Sequence, residues 1–141
     1  MLILSATDAR KEWSETIDRA VRQKPQFIKR TRDHLVLAEV SFLSDLLKDY
    51  RFTASVYHED DESVTLSLHE MDIIENAPTL EEAKAQLASA IYDYAEEYYN
   101  DIQYWHTASN RRNHLPYVMK ALLFNDVRKI GEWITCQDGR N

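Results

Sequence analysis

Residues 78–105 read PTLEEAKAQLASAIYDYAEEYYNDIQYW, and the rest of the fold is organised around them. Pro78 places a turn. Thr79 and Glu82 then have the spacing of a capping box, in which side chains satisfy the backbone amides that a first helical turn leaves open. Leu80, Ala83, Leu87, Ile91, Tyr94, Tyr98, Ile102 and Trp105 recur every three or four residues. That spacing predicts a helix of about seven turns with one apolar stripe.

Upstream the period changes from helical to twofold. Phe52, Ala54 and Val56 alternate with polar residues as far as Glu59-Asp60-Asp61-Glu62, and Val64, Leu66 and Leu68 alternate on the return. This predicts two strands joined by an acidic turn, with Met71–Glu75 extending the second or starting a third. The long helix is expected to pack across that sheet, which makes the fold class α+β. Downstream, residues 106–114 are polar and carry Asn110-Arg111-Arg112-Asn113, the composition of an exposed loop with local positive charge. Leu115, Val118, Leu122, Ile130 and Trp133 resume a helical spacing on one helix or two short ones, with Pro116 in the first turn and a break near Asn125-Asp126. The residues after Thr135 are expected to fray.

The N-terminal third reads differently. Ile3 and Leu4 lead into Ser5 and Thr7, two N-cap candidates, with Asp8 in the first turn. Ala9, Trp13, Ile17, Ala20 and Val21 predict one helix with a buried stripe, ended by Pro25. Phe27 and Ile28 then open a hairpin whose tip is basic, Lys29-Arg30-Thr31-Arg32, with Asp33 and His34 at the turn and Leu35–Val40 as a buried return strand. Ser41 caps a second helix with Phe42, Leu43, Leu46, Leu47 and Tyr50 on its apolar face.

Composition narrows the chemistry. The 141 residues are 44% hydrophobic, enough for a folded core in one unit or two small ones. No apolar run reaches the ~18 residues of a membrane helix, and residues 1–11 do not resemble a secretory signal, so a cytoplasmic protein with no membrane attachment is expected. Cys136, the single cysteine, cannot close an internal disulfide, and two glycines, Gly131 and Gly139, are too few for a glycine-rich phosphate loop. Charge is uneven along the chain. Residues 1–51 hold ten Lys/Arg and eight Asp/Glu, a net +2; residues 52–105 hold Lys84 against thirteen acids, −12; residues 106–141 hold six basic and three acidic residues, +3. A locally basic segment attracts phosphate, and a strongly acidic one suits basic proteins.

The order Ser5-Ala6-Thr7-Asp8-Ala9-Arg10, Phe27–Arg32, Leu35-Val36-Leu37-Ala38 and Ser41-Phe42-Leu43 resembles the Phd/YefM antitoxins over residues 1–50. In that family a strand, helix, hairpin and helix build a homodimer that binds operator DNA and represses its own operon. Residues 52–100, with Thr79–Ala83 and Ala90-Ile91-Tyr92, resemble the HicB-like antitoxin fold, although Leu68–Asp72 stands where that family has a Pro-Asp-Leu-Pro-Gly stretch. The two likenesses imply an antitoxin of a type II toxin–antitoxin system, non-enzymatic and without a cofactor, whose partners are a cognate toxin, operator DNA and a second copy of itself. They imply three regions: 1–51 for DNA binding and dimerisation, 52–105 as an acidic αβ region, and 106–141 as a basic loop and C-terminal helix that is a candidate toxin-binding segment.

The candidate DNA-binding residues are Thr7, Arg10, Lys11, Arg30 and Arg32, with Lys29 beside them. Helix-start amides and guanidinium groups both favour phosphate, and Arg also reads guanine edges. The candidate partner-binding residues are Tyr99, Tyr104, Trp105 and Trp133, because Tyr and Trp dominate protein interfaces. Two alternatives remain open: a stand-alone dimeric transcriptional repressor or interaction module, and, more remotely, a metal-dependent nuclease using Asp60, Asp61 and Asp72. His58, His69, His106 and His114 lack the spacing of a zinc site.

Overall fold

The computed structural model describes residues 1–139 as two compact units, Met1–Leu46 and the chain from Leu47 onward. Among the described residues the elements are seven strands in two sheets, seven α-helices and one 3-10 turn.

Unit 1 is built on a three-stranded sheet. Strand β1 (Ile3–Ser5) runs parallel to β2 (Gln26–Arg30), which pairs antiparallel with β3 (Asp33–Leu37). Helices α1 (Ala6–Lys11) and α2 (Trp13–Arg22) stand between β1 and β2, and α3 (Val40–Leu46) follows β3. The expected single helix is therefore two, because Glu12 leaves helical geometry at φ −109° and ψ 37°. Ser5 caps α1, accepting a hydrogen bond from the Asp8 amide at 3.1 Å, so Thr7 lies inside the helix.

The buried residues of unit 1 are Ala9, Thr16, Ala20 and Gln26. Two of these are polar and internally satisfied: the Thr16 hydroxyl donates to the Glu12 carbonyl, and Gln26 bonds Arg19 and the Lys24 carbonyl. The expected buried stripe of α2 is corrected, since Trp13, Ile17 and Val21 are exposed, and so is the expected buried strand, since Leu35 and Val36 are more than half exposed. Helix α3 buries no residue. The hairpin turn consists of Thr31 and Arg32, with Thr31 in the left-handed region at φ 54°. Asp33 and His34 lie on β3, opposite Arg30 and Lys29, instead of forming the turn.

Unit 2 has a four-stranded sheet in the order β6-β5-β4-β7. Strands β4 (Phe52–His58), β5 (Val64–Leu68) and β6 (Ile74–Ala77) form an antiparallel meander, and β7 (Ile134–Asp138) adds to β4 in parallel. The predicted alternation holds: Phe52, Ala54, Val56, Val64, Leu66 and Leu68 are buried, while Thr53, Ser55, Thr65 and Ser67 between them face the other side. Helix α4 (Leu80–Asn100) starts at the Thr79 cap, whose hydroxyl accepts from the Glu82 amide at 3.2 Å. It buries Ala83, Leu87, Ala88, Ile91, Ala95 and Tyr98 in the same core. The stripe continues after a break at Asp101 in the short α5 (Ile102–Thr107).

The C-terminal third completes this core. After a 3-10 turn at Arg112–His114, helix α6 (Leu115–Leu122) contributes Val118 and Ala121, and α7 (Val127–Trp133) contributes Ile130. The break between them has Asn125 at φ 50°, with Asp126 capping α7. The fraying expected after Thr135 is corrected by β7, which pairs residue by residue from Phe52–Ile134 to Val56–Asp138. Positions 140 and 141 lie outside the described residues.

Candidate functional site

The basic candidates gather on unit 1. Arg10 and Lys11 lie in the last turn of α1, at the carbonyl end, where cations favour the helix dipole. Their expected place near a helix N-terminus is thus corrected, and any phosphate they hold is held by side-chain charge. Arg10 and Arg30 flank a hollow of about 750 Å³ whose floor is Ala6, Ala9, Trp13, Ile28 and Leu35. Arg30 is tethered to Asp33 at 2.9 Å, an exposed pair that fixes direction more than it stabilises. Arg32 sits exposed on the hairpin tip, and Thr7 is exposed on α1. Sequence periodicity identified the apolar side chains of this hollow but treated them as core.

The aromatic candidates divide into two kinds on unit 2. Tyr99 and Tyr104 are exposed, at 57% and 63%. Trp105 is half-buried, stacked on Tyr98 with ring centroids 6.3 Å apart and crossed by Tyr104 at 5.4 Å. Trp133 packs on Phe124 and under the Lys120 ammonium, 5.3 Å from its ring.

Two polar networks lie outside the expected site. Arg111, expected in a solvated loop, folds over Tyr94 and Trp105 at 5.7 and 5.9 Å. Its carbonyl accepts from the Tyr98 hydroxyl, and Tyr94 shares a 2.6 Å hydrogen bond with Nδ1 of the buried His114. Burial, with Arg111 nearby, holds the His114 pKa below its ordinary value, and burial raises that of Tyr94. The second network joins Thr53, Ser55, His69 and Glu70: both ring nitrogens of His69 meet hydroxyls, and the Thr53 amide donates to Glu70 at 2.7 Å. A run of basic letters gives no hint of an aromatic cage, and no motif spacing announces a cross-strand network.

Lys120 is buried, its ammonium donating to the Tyr50 carbonyl at 2.7 Å, and desolvation lowers its pKa. Of the acids weighed as metal ligands, Asp61 accepts from Ser63 in the β4–β5 turn, which lowers its pKa, and Asp72 points toward Arg111 at 4.0 Å. Among the described residues no three His, Cys, Asp or Glu side chains cluster as a metal site, and no helix is long and apolar enough to cross a membrane.

Known proteins agree with this architecture at the level of family. A family model described as the PHD-like antitoxin of toxin–antitoxin, RelE/RelB, matches residues 1–136 and so runs through both units. A crystal structure from Syntrophomonas wolfei subsp. wolfei, described as an antitoxin part of a "putative toxin/antitoxin system", is similar at 30% identity and a TM-score of 0.88, covering 99% of this chain and 100% of that one. No curated protein matches the chain. The match along nearly its whole length shows that the chain belongs to the PHD-like antitoxins of toxin–antitoxin systems.

Proposed function

We propose that this antitoxin works as a homodimer formed through unit 1, that it represses its own operon by binding operator DNA, and that unit 2 neutralises a cognate toxin. The carrying observation is the apolar face of unit 1. Trp13 and Leu35 are each about half exposed beside Arg10 and Arg30, and contiguous apolar surface of this kind is normally covered by a partner. A second copy covers it without a new sequence. It also doubles the cations facing DNA, two half-sites matching two protomers.

In this reading residues 1–51 form a Phd/YefM-like region whose operator contacts are Thr7, Arg10, Lys11, Arg30 and Arg32. Residues 52–105 have the meander-plus-helix order of a HicB-like scaffold, and the region 106–141 adds partner surface, with Val118, Ala121, Ile130 and Ile134 closing the core. Of the aromatic candidates, Tyr99 and Tyr104 are free to contact a toxin as they stand, whereas Trp105 and Trp133 already serve packing within unit 2.

The test is titration of the full chain onto its own promoter DNA at two salt concentrations, with the product of the adjacent reading frame present and absent. Arg10→Ala and Arg32→Ala should each weaken specific binding by about tenfold or more, with a shallower salt dependence. Unchanged operator affinity in both variants would remove the DNA assignment. DNA binding with no stoichiometric partner would instead make the protein a stand-alone repressor.

A further inference from the structure

A groove runs between α4 and the end of α6. It encloses about 440 Å³, with Tyr92, Glu96 and Tyr99 on one wall and Met119, Leu122 and Leu123 on the other. Tyr92 bridges its floor by donating to Asn125, the left-handed residue after α6. Glu96 is the one acid that lines the groove. Asp93, Glu97 and Asp101 lie outside its lining, in or just after the same half of α4, and no Lys or Arg occurs from residue 85 to residue 110, so the field around the groove is acidic. None of these four acids forms an ion pair among the described residues.

The last turn of α4 contains no basic residue. Its carbonyl end carries partial negative charge, so Glu96, Glu97 and Asp101 add like charge where a helix favours cations. This arrangement works against the isolated helix and in favour of a bound cation. Burial and Glu96 together raise the Tyr92 pKa, as expected beside an unneutralised negative field. Nucleic acid and anionic lipid are repelled by the same charges.

We propose that this α4–α6 groove seats a basic amphipathic segment of the cognate toxin, with an apolar side chain between Tyr99 and Met119, a Lys or Arg side chain against Glu96, and further basic charge drawn by the field of Glu97. The inference rests on the antitoxin reading above and narrows it, for among the four aromatic candidates it selects Tyr99 and excludes Tyr104 from the contact. Charge complementarity decides the occupant. A second copy of the chain seated here would bring Glu96 and the acidic end of α4 against their equivalents.

The test uses the full chain and the purified product of the adjacent reading frame. The double variant Glu96→Lys/Glu97→Lys should raise the dissociation constant about 100-fold and flatten its salt dependence. Tyr99→Ala should raise it about tenfold, and Tyr104→Ala should leave it unchanged. All four substitutions are at exposed positions, and retention of the wild-type melting temperature verifies that each variant is folded. A complex that tolerates the charge reversal, or that depends on Tyr104 and not Tyr99, overturns the groove and leaves the antitoxin reading standing. Failure of the unmodified chain to form any complex overturns both.

Discussion

Unit 2 spends its apolar residues on itself, and unit 1 holds its own in reserve. In unit 2, Phe52, Leu66, Leu87, Ile91, Tyr98, Val118 and Ile130 are all at 0% exposure in one core. In unit 1 the buried set is two alanines, a threonine and a glutamine, while Trp13, Val21, Phe27, Leu35, Val36 and Leu46 face outward. Similar amphipathic patterns thus have two outcomes. A stripe facing a sheet within its own unit makes a core; a stripe its own unit leaves uncovered stays exposed, which is the surface we propose a second copy covers.

The largest expected effect breaks the self-sufficient side of this contrast. Leu87 lies in the middle of α4 and is fully buried, so Leu87→Ala removes packed methyl groups and leaves a cavity. A loss of about 2–5 kcal/mol follows from the usual cost of such truncations. Urea unfolding monitored by far-ultraviolet dichroism measures it, and a loss well below 1 kcal/mol would mean that the core relaxes around the gap.

The next effect tests the reserve. Trp13→Asp places a charge in the exposed apolar face of unit 1. If that face is a dimer interface, the dimer should weaken by about 2 kcal/mol or more, the scale of a tryptophan anchor. Analytical ultracentrifugation across a concentration series reads the change. The unmelted fraction of unit 2 at a given temperature should stay as it was at concentrations where the wild type is already monomeric. A wild-type chain that is monomeric throughout would overturn the dimer.

These two predictions mark where the sequence was informative. Twofold alternation and the Thr79 cap revealed the meander and α4, because both are local patterns with local causes. Ala9, Trp13 and Ile17 have the spacing of one buried helical stripe, yet Ala9 is buried on α1 while Trp13 and Ile17 are exposed on α2, because periodicity does not say what lies opposite a face. Helix α1 stops at Glu12 with no glycine or proline to mark it, which put Arg10 and Lys11 at the wrong end of a helix. Strand β7 was missed because Ile134-Thr135-Cys136-Gln137-Asp138 is largely polar and gains its partner, β4, from about eighty residues away in sequence. The candidate residues Arg10 and Arg30 are legible as cations in the sequence, while their position around one apolar hollow is not.

A smaller effect distinguishes the units by pH. His114 is buried beside Tyr94 and Arg111, and burial lowers its folded-state pKa below the ordinary 6.5. Between those two values the unfolded chain binds more protons than the folded one, so stability rises with pH there. The contribution of His114 is complete above 6.5 and is lost as pH falls from that value toward the folded-state pKa. His114→Asn should flatten this slope between pH 7 and pH 5, whatever it costs in absolute stability. Chemical denaturation at several pH values tests it, and an unchanged slope would assign the acid sensitivity to other groups.

The smallest effect asks whether the two units unfold together. Thr31 is the first central residue of a two-residue hairpin loop and has φ 54°, whereas Arg32 after it does not have positive φ. That is the pattern of a II′ turn, in which glycine is the usual first residue because it has no Cβ to clash. Glu62, in the β4–β5 turn of unit 2, is also left-handed, at φ 73°. Thr31→Gly and Glu62→Gly each relieve backbone strain and give back part of the gain as unfolded-chain entropy, leaving a net stabilisation below about 1 kcal/mol. In calorimetry, separately melting units would show Thr31→Gly raising one transition and Glu62→Gly the other. A single transition raised by both would mean that unit 1, despite its meagre core, unfolds cooperatively with unit 2.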